Sequence, residues 1–177
     1  RFVDVGGLQV HLRDEGPRDD PVPIVLIHGT ASSLHTWEGW AAALRDVRRV
    51  VSFDLPGFGL TGPNASGDYD VAADTRFVLD LLDALKIERC VLAGNSLGGE
   101  IAWHVAVSAP RRVERLVLVD AGGYRFTPRW VQQGYRLARL LLVRGLSPNV
   151  LPRSLVARGV REVYGTPSRV SEALIDR

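Results

Sequence analysis

No apolar stretch in this sequence approaches the ~20 residues that a membrane-spanning helix requires, the longest being short runs such as Val22 to Ile27 and Leu140 to Val143. A transmembrane span is therefore not expected. Cysteine is nearly absent: Cys90 stands alone, so no internal disulfide can form and nothing in the chain calls for an oxidising compartment. It lies in the run Cys90-Val91-Leu92-Ala93 and reads as core packing. Internal repeats and low-complexity tracts are also missing. So is any block of like charge, although the sign of the charge drifts. Residues 1 to 96 carry 9 basic and 14 acidic side chains, and 97 to 177 carry 13 and 6, giving −5 and +7 within a net +2. The basic residues of the second half are spread singly along apparent helices, which speaks for a solvated face and against a nucleic-acid site. Arg1 opens the sequence in place of methionine, so the lack of a targeting segment carries no weight and a cytoplasmic setting is only the default expectation.

With 46% hydrophobic and 24% charged residues over 177 positions, the chain has enough apolar material for one sizeable core. Phe2 to Val5 and Leu8 to Leu12 alternate apolar and polar around Gly6-Gly7, which predicts a β-hairpin. Pro23 to Ile27 is a continuous apolar run suited to a strand buried on both faces, and Arg49 to Asp54, Arg89 to Gly94 and Val113 to Asp120 repeat the theme. Helical patterns lie between them, over Leu34 to Leu44, Asp70 to Leu85 and Leu97 to Ala109. In the second, Val78, Leu81, Leu82 and Leu85 form an apolar stripe, with Asp74, Arg76, Asp80 and Asp83 assigned to the other face. Strands and helices alternating in this way predict right-handed crossovers and an α/β, doubly wound, mostly parallel sheet. After Asp120 the alternation stops. Arg129 to Arg144 reads as a helix with Trp130, Gly134, Leu137, Ala138 and Leu141 on one stripe, and Pro148, Pro152 and Pro167 punctuate two further short helical stretches.

Gly94-Asn95-Ser96-Leu97-Gly98 fits the pattern G-x-S-x-G between a buried strand and a helix, the setting that a strained nucleophile turn requires. Flanking glycines remove Cβ atoms where helix and strand close together, and the helix start aims free N–H groups, that of Leu97 among them, at developing negative charge. Three features accompany it: His28-Gly29-Thr30 after an earlier strand, Asp54-Leu55-Pro56-Gly57-Phe58-Gly59 after the next, and a helical insertion after Asp120. On these residues the sequence resembles, over nearly its whole length, the α/β-hydrolases with a helical cap, in particular serine esterases and carbon–carbon bond hydrolases. That resemblance implies Ser96 as nucleophile and the N–H groups of Thr30 and Leu97 as oxyanion donors. It also implies residues 1–122 as the N-terminal part of the core and 123–177 as part of the cap. Serine at this position sets the chain apart from the haloalkane dehalogenases and epoxide hydrolases of the fold, whose nucleophile is aspartate, and suits acyl transfer.

A serine needs a base, and in this fold the base is a late histidine. None follows His104, which stands two helical turns, ~12 Å, beyond Ser96 and reads as a helix-face residue. His28 reads as a brace for the Thr30 loop, and His11 and His35 as strand-surface and loop positions. The expectation is accordingly a fragment cut at both ends, lacking the C-terminal core with the acid and histidine, of negligible turnover, and poorly soluble through the open strand edge at Val113 to Asp120. The acid is open between Asp120 and a residue after the following strand; otherwise Asp120 is a turn residue opening the cap. Asp54 reads as structural, hydrogen-bonding the Pro56 to Gly59 loop.

Gly57-Phe58-Gly59-Leu60-Thr61-Gly62 also fits G-x-G-x-x-G after a strand, but no helix begins there and no acidic residue ends a strand ~20 positions on, so a dinucleotide cofactor is not expected. Neither is a metal. The remaining alternatives are a non-catalytic member of the fold that binds a ligand under its cap, and a membrane-surface role for the arginine-bearing helix at 129 to 144. A cap helix is preferred for that segment, because its apolar stripe has a pocket mouth to cover. The reading reached is a serine hydrolase acting on a small ester or related carbonyl substrate through an acyl-enzyme, with the basic second half favouring substrates that bear a carboxylate. Oligomeric state is not legible.

Overall fold

Strands form where short β-branched and aromatic runs are bounded by glycine, proline and charged residues. A computed structural model, which describes residues 1–64, 66–124, 153–163 and 166–175, gives β1 Phe2–Val5, β2 Leu8–Glu15, β3 Ile24–Ile27, β4 Val50–Phe53, β5 Cys90–Asn95 and β6 Val113–Val119. They make one six-stranded sheet in the order β1-β2-β4-β3-β5-β6. β1, β2 and β4 pair antiparallel, whereas β4, β3, β5 and β6 run parallel. The helices of this unit are α1 Glu38–Leu44, preceded by a 3-10 turn at Leu34–Trp37, then α2 Val71–Ala84 and α3 Leu97–Ser108. This is the doubly wound, mostly parallel α/β sheet predicted above.

The central strands are buried on both faces because each side of the sheet carries helices. Val25 and Ile27 of β3, Val51 and Phe53 of β4 and Leu92 of β5 join Val78, Leu81 and Leu82 of α2 and Ile101, Ala102 and Val105 of α3 in one core. The alternate residues Ile24, Leu26, Val50 and Ala93 pack with Trp37 and Ala41 on the opposite face. Each fully buried leucine in these layers contributes ~2 kcal/mol of transfer free energy. β6 differs: it is the sheet edge among the described residues, and its Leu116 and Leu118 are exposed. No helix among the described residues is long and apolar enough to cross a membrane.

Two boundaries moved for physical reasons. β2 runs on to Glu15 because Leu12, Arg13, Asp14 and Glu15 pair with Phe53, Ser52, Val51 and Val50, a long-range ladder that local alternation does not reveal. The Asp14 carboxylate on this extension is wholly enclosed and takes Nε of Arg49 at 2.9 Å, with Arg1 and Arg18 also on it. Burial alone would raise the Asp14 carboxyl, but the Arg49 and Arg18 hydrogen bonds and charges outweigh it and hold it below the ordinary range. The segment from Leu34 begins as a 3-10 turn instead of an α-helix, with the Ser33 side chain accepting from the His35 N–H.

The solvent face assigned to α2 needs one correction. Arg76, Asp80 and Asp83 are exposed as expected, yet Asp74 is only 6% accessible. At the start of α2 three consecutive residues, Ala73, Asp74 and Thr75, are buried, so the enclosed arc there is wider than the stripe farther along.

The chain divides into two compact units, Arg1–Tyr124 and Arg125–Arg177. In the second, α4 Arg153–Val163, a 3-10 turn Pro167–Arg169 and α5 Glu172–Ile175 are described, in keeping with short helices set off by Pro152 and Pro167. Ala157, Val170 and Ile175 form a small core with Val160 against it. The Glu172 carboxylate joins Arg153 at 2.8 Å and Arg161 at 2.7 Å. The predicted helix at 129 to 144, Trp130 included, lies outside the described residues.

Burial, followed by the nearby Asp70 charge, pushes the Asp74 carboxyl up to about 6 from 3.8. A raised folded-state value means stability that is fully present below about pH 4 and is lost as pH rises through about 6. Asp74→Asn is therefore expected to be more stable than the parent at pH 7, by on the order of 2 kcal/mol, with the gap closing towards pH 4. Urea unfolding of both proteins across that range checks it, and parallel stability curves would refute it.

Candidate active site

In an open parallel sheet, a crevice forms at the carboxyl ends of neighbouring strands whose following helices leave to opposite faces. β3 and β5 are such a pair: they are adjacent, Ile27 lies beside Gly94, and the segment after β3 packs on the face opposite to α3. The loop His28-Gly29-Thr30 and the turn at Ser96 thus leave the sheet side by side.

Ser96 sits between β5 and α3 with φ +52° and ψ −117°. This is a conformation that side chains rarely adopt; it costs ~1–3 kcal/mol and persists only where the surroundings enforce it. They do so by close packing. A Cβ on Gly94 would lie 2.1 Å from the Gly98 carbonyl oxygen, and one on Gly98 would lie 2.3 Å from that of Ile27. The first turn of α3 is thereby pressed onto the ends of β3 and β5, and Ser96 projects, exposed, at the bend. Its backbone is tied on both sides: the Ser96 N–H donates to the Val119 carbonyl at 3.0 Å, and the Ser96 carbonyl accepts from Gly122 at 2.9 Å and from Glu100 at 3.1 Å. Leu97 opens α3, so its N–H belongs to the set with no partner inside the helix.

Gly29 is the contact between the two loops. A Cβ there would lie 3.0 Å from the Ser96 Cβ and 3.1 Å from Asn95 Oδ1. Thr30 follows at once and is exposed, and Ala31 after it has φ +55°. His28 is fully buried; its Nδ1–H donates to the Gly29 carbonyl at 2.7 Å and its Nε2 accepts the Leu55 N–H at 3.0 Å. Burial pushes its pKa down. It is a neutral brace with both ring nitrogens committed.

The other histidines are engaged as well. His35 Nδ1 meets Glu38 at 2.7 Å, and the His104 ring stacks on Trp103 at 3.8 Å. His11, read from sequence as a strand-surface residue, is instead half-buried and bonds Asp54 Oδ2 through Nδ1 at 2.9 Å. Asp54 accepts backbone N–H groups from Leu34 at 2.8 Å and Leu60 at 2.9 Å, so its role extends beyond the Pro56 to Gly59 loop assigned to it. Burial would raise its carboxyl, but those two donors and His11 hold it below the ordinary range.

Asp120 is exposed with φ +46°, one residue past the Val119 carbonyl that Ser96 and Asn95 share. Beyond it, Trp103 Nε1 donates to the Gly122 carbonyl at 3.2 Å, fastening the exit of β6 to α3. Sequence reasoning missed both Trp103 and the His11–Asp54 pair. A signal for the second exists only in the pairing of β2 with β4, which brings residues 43 positions apart together. The Gly57 to Gly62 run turns back on itself, with Gly57 N–H donating to the Gly62 carbonyl at 2.9 Å. A Cβ on Gly62 would meet only Leu8, at 3.7 Å, so its third glycine is not needed for the helix–strand packing of a dinucleotide fold.

These spacings rank the glycines. Gly98→Ala must displace backbone and is expected to destabilise by several kcal/mol, whereas Gly62→Ala stays within about 0.5 kcal/mol. Chemical denaturation of both variants checks the ranking, and equal losses would contradict the packing described.

Comparison with known proteins identifies relatives of this chain. The alpha/beta hydrolase fold family model matches residues 22–170. The chain is 36% identical over 129 residues to a 2-hydroxy-6-oxo-2,4-heptadienoate hydrolase of Pseudomonas putida, covering 71% of this chain and 46% of that protein. It is 34% identical to a 2-hydroxymuconate semialdehyde hydrolase of a Pseudomonas species, covering 71% and 44%. Among solved structures, Cfl2 from Burkholderia cenocepacia superposes with a TM-score of 0.80 at 27% identity, over 99% of this chain and 63% of its own. The chain thus spans less than half the length of these two curated relatives. With the family model matching most of its length and a relative 36% identical over 71% of it, the chain belongs to the alpha/beta hydrolase fold family.

Proposed function

We propose that this chain carries the nucleophile and oxyanion half of a serine hydrolase, Ser96 attacking a small-molecule ester or related carbonyl substrate. The observation that carries the reading is the approach of Gly29 to Ser96, 3.0 Å from a glycine Cβ position to the serine Cβ, which supports taking the N–H groups of the next residues, Thr30 and Leu97, as the two oxyanion donors. A base takes the Ser96 proton, the oxygen adds to the carbonyl, and the resulting oxyanion is held by those two donors, each contributing ~3 kcal/mol to the transition state. Collapse expels the leaving group and leaves an acyl-enzyme, which water hydrolyses. The proton acceptor in this reading is a histidine other than the four here: His28 has both ring nitrogens bonded, His11 and His35 face Asp54 and Glu38, and His104 stands two helical turns beyond Ser96. Asp120 or a residue after a later strand orients it.

Residues from 123 onward are read as the beginning of a helical cap. The relatives named above are hydrolases of oxo-dienoate and semialdehyde compounds, which supports a ketone with an adjacent carbon–carbon bond as one form of the carbonyl substrate. The excess of basic over acidic residues after position 96, 13 against 6, favours substrates bearing a carboxylate. A cytoplasmic setting fits the lone thiol, Cys90, which is buried and unpaired.

On the full-length gene product, Ser96→Ala is expected to lower kcat/KM by about 10⁴-fold or more with folding intact. Esters of equal size with and without a carboxylate measure the second claim. Activity surviving in the alanine variant would overturn the first, a clear preference for the neutral ester the second, and binding without turnover in the parent would point to a ligand-binding member of the fold.

A further inference from the structure

The backbone around Thr30 is held at two buried points. His28 fixes its start, through the Gly29 carbonyl and the Leu55 N–H. Asp54, 1% exposed, fixes its end through its carboxylate, which accepts the Leu34 N–H at 2.8 Å. Between these anchors Thr30 and Ala31 are exposed. Both anchors engage consecutive residues at the end of β4, so the placement of the Thr30 N–H depends on how Asp54 and Leu55 are themselves held. Leu55 is held by burial in the core and by its carbonyl, which accepts the Phe58 N–H at 3.0 Å. Asp54 is fixed by its side chain: Oδ2 accepts the Leu60 N–H at 2.9 Å and faces His11 Nδ1 at 2.9 Å. The fit is close enough that a Cβ on Gly59 would lie 2.1 Å from Oδ2. His11 in turn is seated by its own N–H, which donates to Thr61 Oγ1 at 3.0 Å, and by the Phe2 ring at 5.2 Å.

We propose that His11 and Asp54 act as a positioning pair, with His11 fixing the Asp54 carboxylate that sets the height of the Thr30 N–H opposite Ser96. The inference rests on the serine hydrolase reading above. Neither side chain touches substrate. Their loss lets the Leu34 end of the loop drift, and an oxyanion donor displaced by a fraction of an ångström weakens the transition state while substrate binding is largely kept.

Asp54→Asn, His11→Leu and His11→Asn are made in the full-length gene product, with kcat and KM for an ester and the thermal midpoint measured for each. Asparagine at position 11 can present an N–H close to where Nδ1–H stands; leucine cannot. Asp54→Asn and His11→Leu are expected to lower kcat by about 10- to 100-fold with KM within about threefold, while His11→Asn stays within about twofold of the parent. If Asp54→Asn fails to fold, the two His11 variants decide. A folded His11→Leu protein with parental kcat, or His11→Asn impaired as much as His11→Leu, overturns the positioning role. A parent without hydrolase activity, or one unaffected by Ser96→Ala, removes the underlying reading instead, so the parent and its Ser96→Ala variant tell the two failures apart.

Discussion

The structure turns on the contact between the first turn of α3 and the carboxyl ends of β3 and β5. That contact exists only because positions 29, 94 and 98 carry no side chain; an added methyl at 94 or 98 would penetrate a carbonyl group. Close packing of this kind converts sheet geometry into site geometry. The strands are held by their own ladders and by cores on both faces. With the helix pressed onto them, the intervening residue has little choice but the positive φ of Ser96. The strain lies in the Ser96 backbone, and the close packing that the neighbouring glycines permit holds it there.

A second layer of order comes from buried polar groups that fix loops without joining the chemistry. His28 and Asp54 are both nearly inaccessible, and each satisfies backbone N–H groups that the loops after β3 and β4 would otherwise bury unpaired. Their protonation follows from that duty. Burial keeps the His28 ring neutral, so one nitrogen accepts while the other donates. Donors keep Asp54 ionised despite burial. Trp103 does similar work on the other side of Ser96, where its indole N–H holds the Gly122 carbonyl.

Much of this was legible in the sequence. Buried strands announce themselves as unbroken apolar runs, and the Gly94 to Gly98 turn is legible because its glycines answer a steric demand at fixed spacing. What local pattern does not carry is the partner across the sheet. The extension of β2 to Glu15 and the His11–Asp54 bond both depend on β2 lying against β4, a pairing invisible to periodicity. The burial of Asp74 escapes the sequence pattern for a related reason. A helix stripe read from leucines gives the direction of the core but not the width of the enclosed arc, which at the N-terminal turn of α2 takes in a carboxylate. Asp120, weighed as the acid, occupies a positive-φ position just past β6, a setting equally suited to a turn, so its residue type alone does not separate the two roles.

The central claim concerns one hydroxyl and two amides, and a crystal structure of the full-length gene product inactivated by a small alkyl phosphonate tests it directly. The account predicts phosphorus bonded to Ser96 Oγ, with a phosphoryl oxygen about 2.7–3.1 Å from the backbone nitrogens of both Thr30 and Leu97. An adduct on another residue, or a phosphoryl oxygen turned away from those amides towards solvent, would contradict it.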